Sequence, residues 1–359
     1  FLSSSRITQP TCCVSPPTNP KAGKTSASRG GYLMSADAGA LQRVFHERWR
    51  AIRDPHVRSL AWLLDSPYLL DVTSPRWGGK LASLGRGAGD AARDWLFALD
   101  AEPAAFHDFL TIQSFTRLGR YAEKLLAWYF IHEQRLHAHG MQVRSGKDET
   151  LGEFDFLLRS EQGLLHWEFA TKFYLLCSVN PAYAQIQQAD YFVGPNLSDT
   201  LGAKMRKLLE RQLALGQHPV AQAMLHEKLC GAQALVKGWL FYRLEEPVDM
   251  TQLGIAADHC RGWWCTMTEL EDHVGEHGVV VPRLNWLAPA KVLDGDQWSC
   301  AVLRQWLGQH FSGDMMPVMV AALKPSGEHW LETTRGFVVP DNWSSRAESA
   351  LRGLTAPLM

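Results

Sequence analysis

The stretch GEFDFLLRSEQGLLHWEFATKFYLL, residues 152–176, decides how this chain is read. In its first half Phe154, Phe156 and Leu158 are apolar, and the positions between them begin with Glu153 and Asp155. In its second half Leu165, Trp167, Phe169 and Phe173 are apolar and alternate with His166, Glu168, Ala170 and Lys172. A period of two sends successive side chains to opposite faces, so each half predicts a strand with one apolar and one polar face. Residues 160–163 supply a four-residue hairpin loop, which sets Arg159 opposite Leu164. Leu158 then meets Leu165, Phe156 meets Trp167 and Phe154 meets Phe169, apolar against apolar at every rung. The same register sets Asp155 directly across from Glu168, with Cβ atoms about 4.5–5.5 Å apart.

Two carboxylates in that position destabilise a sheet unless something neutralises them. A bound Mg²⁺ or Mn²⁺ would do so, because hard cations take carboxylate oxygens. A proton shared by the pair would also do so, as would a nearby cation, for which Lys172 and Arg159 are local.

Outward from the hairpin, residues 116–137 predict a helix with Leu118, Ala122, Leu125, Tyr129 and Leu136 on one stripe, widened by Leu126 and Phe130, and with Gly140 as its stop. Strands follow at 141–144, 153–159 and 164–173. A Gly194-Pro195-Asn196 turn then leads to a helix over 200–215, with Asp199 as N-cap. Residues 234–243 read as another strand. The order helix, three strands, helix, strand implies a mixed sheet with helices on its faces. Upstream, 40–110 is helical, with Pro55, Pro67 and Pro75 as punctuation and a glycine-rich loop over 85–89. Downstream, strand-like pieces at 262–267, 279–281, 317–323 and 336–339 extend the same sheet or form a second domain. The expected organisation is a disordered leader (1–34), a helical N-terminal region (35–112), a mixed-sheet core (113–245) and a strand-rich, aromatic C-terminal region (246–359).

The bulk numbers are those of a globular protein: 46% apolar and 20% charged residues over 359 positions. Lys plus Arg number 36 against 37 acidic residues, so any basic surface is local. Eight of the fourteen tryptophans fall after position 238, which predicts an aromatic core there, with base stacking on an exposed ring as the alternative. Seven cysteines without CxxC spacing suit reduced thiols and a cytoplasmic setting. No apolar run approaches the roughly 18 residues of a membrane span. The first 33 residues are rich in Ser, Thr, Pro, Gly and Lys, too polar to order themselves, and Met34 reads as a natural start. Gly23-Lys24-Thr25 lacks the first glycine of a phosphate-binding loop. His132, His137 and His139 do not share a helical face, and His259, Cys260 and Cys265 lack zinc-ligand spacing.

On the hairpin residues the chain resembles the PD-(D/E)XK nuclease superfamily, whose restriction endonuclease-like core has a helix, three strands, a helix and a further strand. Asp155 matches that superfamily's first acid, Glu168 its second, and Lys172 is the candidate lysine. Glu123 resembles the extra helical acid of many members, and Gln212 a glutamine that some carry on the following helix. More narrowly, residues 152–173 and 191–213 look like a bacterial family of unknown function, the domain-of-unknown-function family 1853, itself grouped with these nucleases. One departure stands out. The lysine usually follows the second acid by two residues, where this chain has Ala170. Lys172 lies four residues on, about 13 Å along the strand, and a bulge or a long side chain leaning back would be needed to restore it.

The resemblance implies an α/β, restriction endonuclease-like mixed sheet and a Mg²⁺- or Mn²⁺-dependent nuclease that hydrolyses phosphodiester bonds in nucleic acid, with DNA the expected substrate. Asp155 and Glu168 would hold the metal, Lys172 would orient water or neutralise phosphate, and Glu153 would be an outer ligand or general base. Lys204, Lys207 and Arg211, at spacings of three and four, would form a basic stripe along a phosphate backbone, or only a solvated face. The displaced lysine favours a different outcome, an inactive nuclease-like module that binds nucleic acid or a protein partner without cleaving.

Overall fold

A computed structural model describes residues 39–85, 87–111, 117–146, 149–177, 188–243 and 253–355. The expected leader lies outside them. Among the described residues eleven strands join in one mixed sheet: β1 (Leu136–Arg144), β2 (Thr150–Ser160), β3 (Gly163–Leu176), β4 (Phe192–Val193), β5 (Leu229–Tyr242), β6 (Cys260–Thr266), β7 (His277–Val280), β8 (Lys291–Leu293), β9 (Trp298–Ser299), β10 (Val318–Ser326) and β11 (His329–Val339). The order is β1-β2-β3-β5-β6-β11-β10-β7-β9, with β4 on β3 and β8 on β11. The C-terminal strands therefore extend the sheet begun by the hairpin. The centre is parallel (β3 with β5, β5 with β6, β6 with β11), and described helices lie between β3 and β5 and between β6 and β11. The flanks are antiparallel.

The N-terminal helices pack against this centre. Pro55–Asp65 starts rather than breaks at its proline: Asp54 accepts the amides of His56 and Val57 at 2.9 Å each, and Pro55 needs no donor in the first turn. Every residue from Val57 to Leu64 is buried, and Trp62 stacks on Trp239 of β5 with centroids 6.3 Å apart. Among the described residues no helix is long and apolar enough to cross a membrane.

The helix expected over 116–137 spans Leu118–His132 and buries the expected stripe as far as Phe130. It ends early because Gln134 takes a left-handed turn at φ 57° and Leu136 already belongs to β1. Gly140 is therefore not a helix stop. It sits inside β1 at φ 66°, where its missing Cβ leaves room for the Glu153 carboxylate, 3.3 Å from where that atom would be.

The hairpin has the expected register. Ser160 pairs with Gly163, Arg159 with Leu164, Leu158 with Leu165 and Phe156 with Trp167. The paired rungs described for β2 and β3 end there. Phe156 and Leu158 join the main core, with Phe156 edge-on to Phe130 at 5.2 Å. Phe154, expected beside them and opposite Phe169, instead packs with Val143, Leu157 and Ala221 and stands edge-on to the His166 ring at 4.6 Å. The strand changes face at Asp155, where its backbone partnership with β3 is replaced by a side-chain one.

Candidate active site

Asp155 sits where β2 leaves the β3 ladder, and its Oδ2 accepts the backbone N–H of Phe169 at 2.9 Å. Glu168, in mid-strand on β3, has no exposed surface. Its Oε1 lies 2.8 Å from His166 Nε2, and its Oε2 accepts the Gln212 amide at 2.5 Å. A buried carboxylate is tolerated when its lone pairs are taken up in this way. The Asp155 carboxyl is pushed up to about 8, first by burial, next by the charge of Glu168 and then by that of Glu123, against the pull of the Phe169 amide. The two acids thus feel each other, although the paired rungs of the hairpin stop one short of them. Burial and the neighbouring charge therefore both favour the protonated form of Asp155.

The other acids are differently engaged. Arg120, on the Leu118–His132 helix, grips Glu153 with both arms at 2.5 and 3.0 Å and reaches Glu123 at 3.2 Å. This holds Glu153 below the usual carboxylate range, mainly through that hydrogen bond. Burial pushes Glu123 up to about 7. Both acids border the pair, but each faces the guanidinium.

Lys172 does not reach Glu168. Its Nζ lies 3.4 Å from Asp199 Oδ2, which also accepts the Tyr174 hydroxyl at 2.9 Å. Asp199 is thereby drawn away from the N-cap expected of it, and Thr200 caps Leu201–Arg206 instead, accepting the Ala203 amide at 3.2 Å. Arg159, the other local cation, pairs with Glu227 at 3.3 Å.

Leu201–Arg206 continues into a π-helical turn, Lys207–Gln212. The wider turn breaks the spacing that would align Lys204, Lys207 and Arg211. Lys207 and Arg211 are exposed, whereas Lys204 is half-buried and hydrogen-bonds Gln212 Oε1 at 3.3 Å. Its ammonium is lowered by burial first and by Lys172 and Lys207 next, while the charges of Asp155 and Glu168 oppose the shift. Lys204 is therefore the lysine linked to Glu168 through the Gln212 amide. Sequence reasoning placed Lys204 in a stripe with Lys207 and Arg211 and missed its bond to Gln212 because it assumed α-helical spacing. It also passed over His166, although a position two residues before Glu168 on one strand face was a usable signal.

Among the described residues no group of three or more His, Cys, Asp or Glu side chains could cage a metal ion. Two adjacent carboxylates suit instead a Mg²⁺- or Mn²⁺-type ion, which is held by one or two carboxylates and completes its shell with water and phosphate oxygens. A proton-holding Asp155 beside Glu168 is a place where such an ion would displace the proton.

The family model described as Domain of unknown function (DUF1853) matches residues 58–339, which include every residue of this site, and the chain belongs to that family. No curated protein and no solved structure matches the chain.

Proposed function

We propose that this family member is a divalent-metal-dependent phosphodiesterase acting on nucleic acid, with DNA the expected substrate, built on a restriction endonuclease-like core. The observation that carries the reading is the Asp155–Glu168 pair, in which burial first and the neighbouring Glu168 charge next favour a proton on Asp155. A site of this kind gains most from a cation, since binding one removes both the repulsion and the proton. The order helix, three strands, crossover, strand supports the same reading.

Asp155 and Glu168 would hold Mg²⁺ or Mn²⁺, and a bound ion would supply an activated water and neutralise charge on the phosphate. The chain's own groups prepare for it. His166 and Gln212 fix the Glu168 carboxylate from two sides, so its orientation is set before any ligand arrives. The Phe169 amide fixes Asp155. Glu123, held near neutrality at about 7, is a proton acceptor bordering the pair.

The test is cleavage of single- and double-stranded DNA and RNA with Mg²⁺, Mn²⁺ or chelator, comparing wild type with Asp155→Asn and Glu168→Gln. Metal-dependent cleavage lost in both variants is expected. Chelator-resistant cleavage, or cleavage unchanged in both variants, would refute the reading. Tight binding without cleavage would favour the non-cleaving module.

A further inference from the structure

A phosphodiester brought to two carboxylates needs a cation of the protein's own to meet it, and the residue expected to provide one is already committed. Lys172 is paired with Asp199, whose Oδ2 is shared with the Tyr174 hydroxyl. Lys204 is placed differently. It makes no ion pair among the described residues, and its described hydrogen bond is to the Gln212 carbonyl oxygen. That amide can point only one way. A lysine ammonium solely donates and an ionised carboxylate solely accepts, so Gln212 must turn its oxygen to Lys204 and its nitrogen to Glu168. The π turn keys the two together by setting Gln212 eight residues beyond Lys204 on the same side of the helix. Lys204 thus sits half-buried, tethered to Glu168 through one amide, with donor capacity left over.

We propose that Lys204, and not Lys172, is the ammonium that meets the substrate phosphate at the Asp155–Glu168 site. The assignment rests on the phosphodiesterase reading above. It has a consequence that a structural role would not produce. A positive charge beside two carboxylates opposes a divalent cation while it attracts an anion, so removing it should strengthen metal binding and weaken phosphate handling.

The experiment measures Mn²⁺ affinity and DNA cleavage on the full chain for wild type, Lys204→Met, Lys204→Arg and Lys172→Met. Lys204→Met is expected to bind Mn²⁺ roughly 3- to 10-fold more tightly and to cleave about 100-fold more slowly or worse, with Lys204→Arg recovering part of the rate. Lys172→Met should change each quantity by less than about 3-fold. The inference is overturned if Lys204→Met cleaves like wild type, if it loses metal affinity together with cleavage, or if Lys172→Met carries the larger loss. Each of those leaves an active, metal-binding wild type, so the phosphodiesterase reading would survive. A wild type that neither binds Mn²⁺ nor cleaves overturns both.

Discussion

Replacing Asp155 by asparagine should stabilise the metal-free protein in alkaline solution, although it removes a half-buried polar group's charge. The Asp155 carboxyl rises from 3.8 to about 8 on folding. Between those values the native chain binds a proton that the unfolded chain has released, so this group's contribution to stability is complete below pH 3.8 and is lost as pH rises to about 8. At ~1.36 kcal/mol per unit the full window corresponds to at most ~5–6 kcal/mol, of which ~3 kcal/mol falls between pH 5.5 and 8. Solvent reaching the partly exposed side chain reduces that portion to ~1–2 kcal/mol. Asparagine carries no such titration and can still accept the Phe169 amide through its oxygen while offering its NH₂ to Glu168. Other groups that titrate in this range, Glu123 among them, are common to both proteins and largely cancel in the difference. The assay is thermal unfolding in chelator at pH 5.5 and pH 9. The melting temperature of the Asp155→Asn variant relative to wild type should rise by ~2–6 °C between the two. A difference that is flat with pH, or a variant that loses ground at pH 9, would refute the claim that Glu168 and burial together hold a proton on Asp155.

Three further outcomes follow from the same structure. Mg²⁺ or Mn²⁺ at millimolar concentration should raise the wild-type melting temperature at pH 8 and leave Asp155→Asn nearly unmoved, read by the same unfolding scan; at 100 times the dissociation constant the gain is ~2.7 kcal/mol. His166→Ala should lower metal affinity and cleavage about 10- to 100-fold, because Glu168 loses the imidazole that orients it; titration calorimetry and the cleavage assay check this, and unchanged affinity would argue that Gln212 alone suffices. Glu332→Ala should cost ~3–5 kcal/mol in urea denaturation. It strands Arg335, a fully buried guanidinium that Glu332 holds at 2.6 and 2.7 Å beneath the Trp239 ring.

The late tryptophans divide in an instructive way. Trp239, Trp264 and Trp343 are fully buried, as an aromatic core predicts. Trp298 and Trp306 are only partly buried, packed against a second core cluster that holds the buried Trp263. Apolarity told the two groups apart poorly, because burial depends on which strands the rings meet. The same limit applies to Phe154, whose alternation with Phe156 and Leu158 is regular on paper. Phe154 nonetheless packs in a different cluster from Phe156 and Leu158.

What the sequence by itself determined was the hairpin and its chemistry. Side-chain alternation and turn length are local properties, so the register from Ser160–Gly163 to Phe156–Trp167 could be read off residues 152–176. Only the tertiary structure decided what surrounds the pair. Arg120 claims Glu153 from 33 residues away, Gln212 claims Glu168 from 44, and Asp199 claims Lys172 from 27. Those contacts are hydrogen bonds and ion pairs that act over a few ångströms. Their existence turns on where a helix switches to a π turn and where the β2–β3 ladder ends, which local patterning does not specify. The carboxylates and the basic residues were therefore legible at once, while the partners that hold Lys172 and Lys204, Asp199 and Gln212, were not.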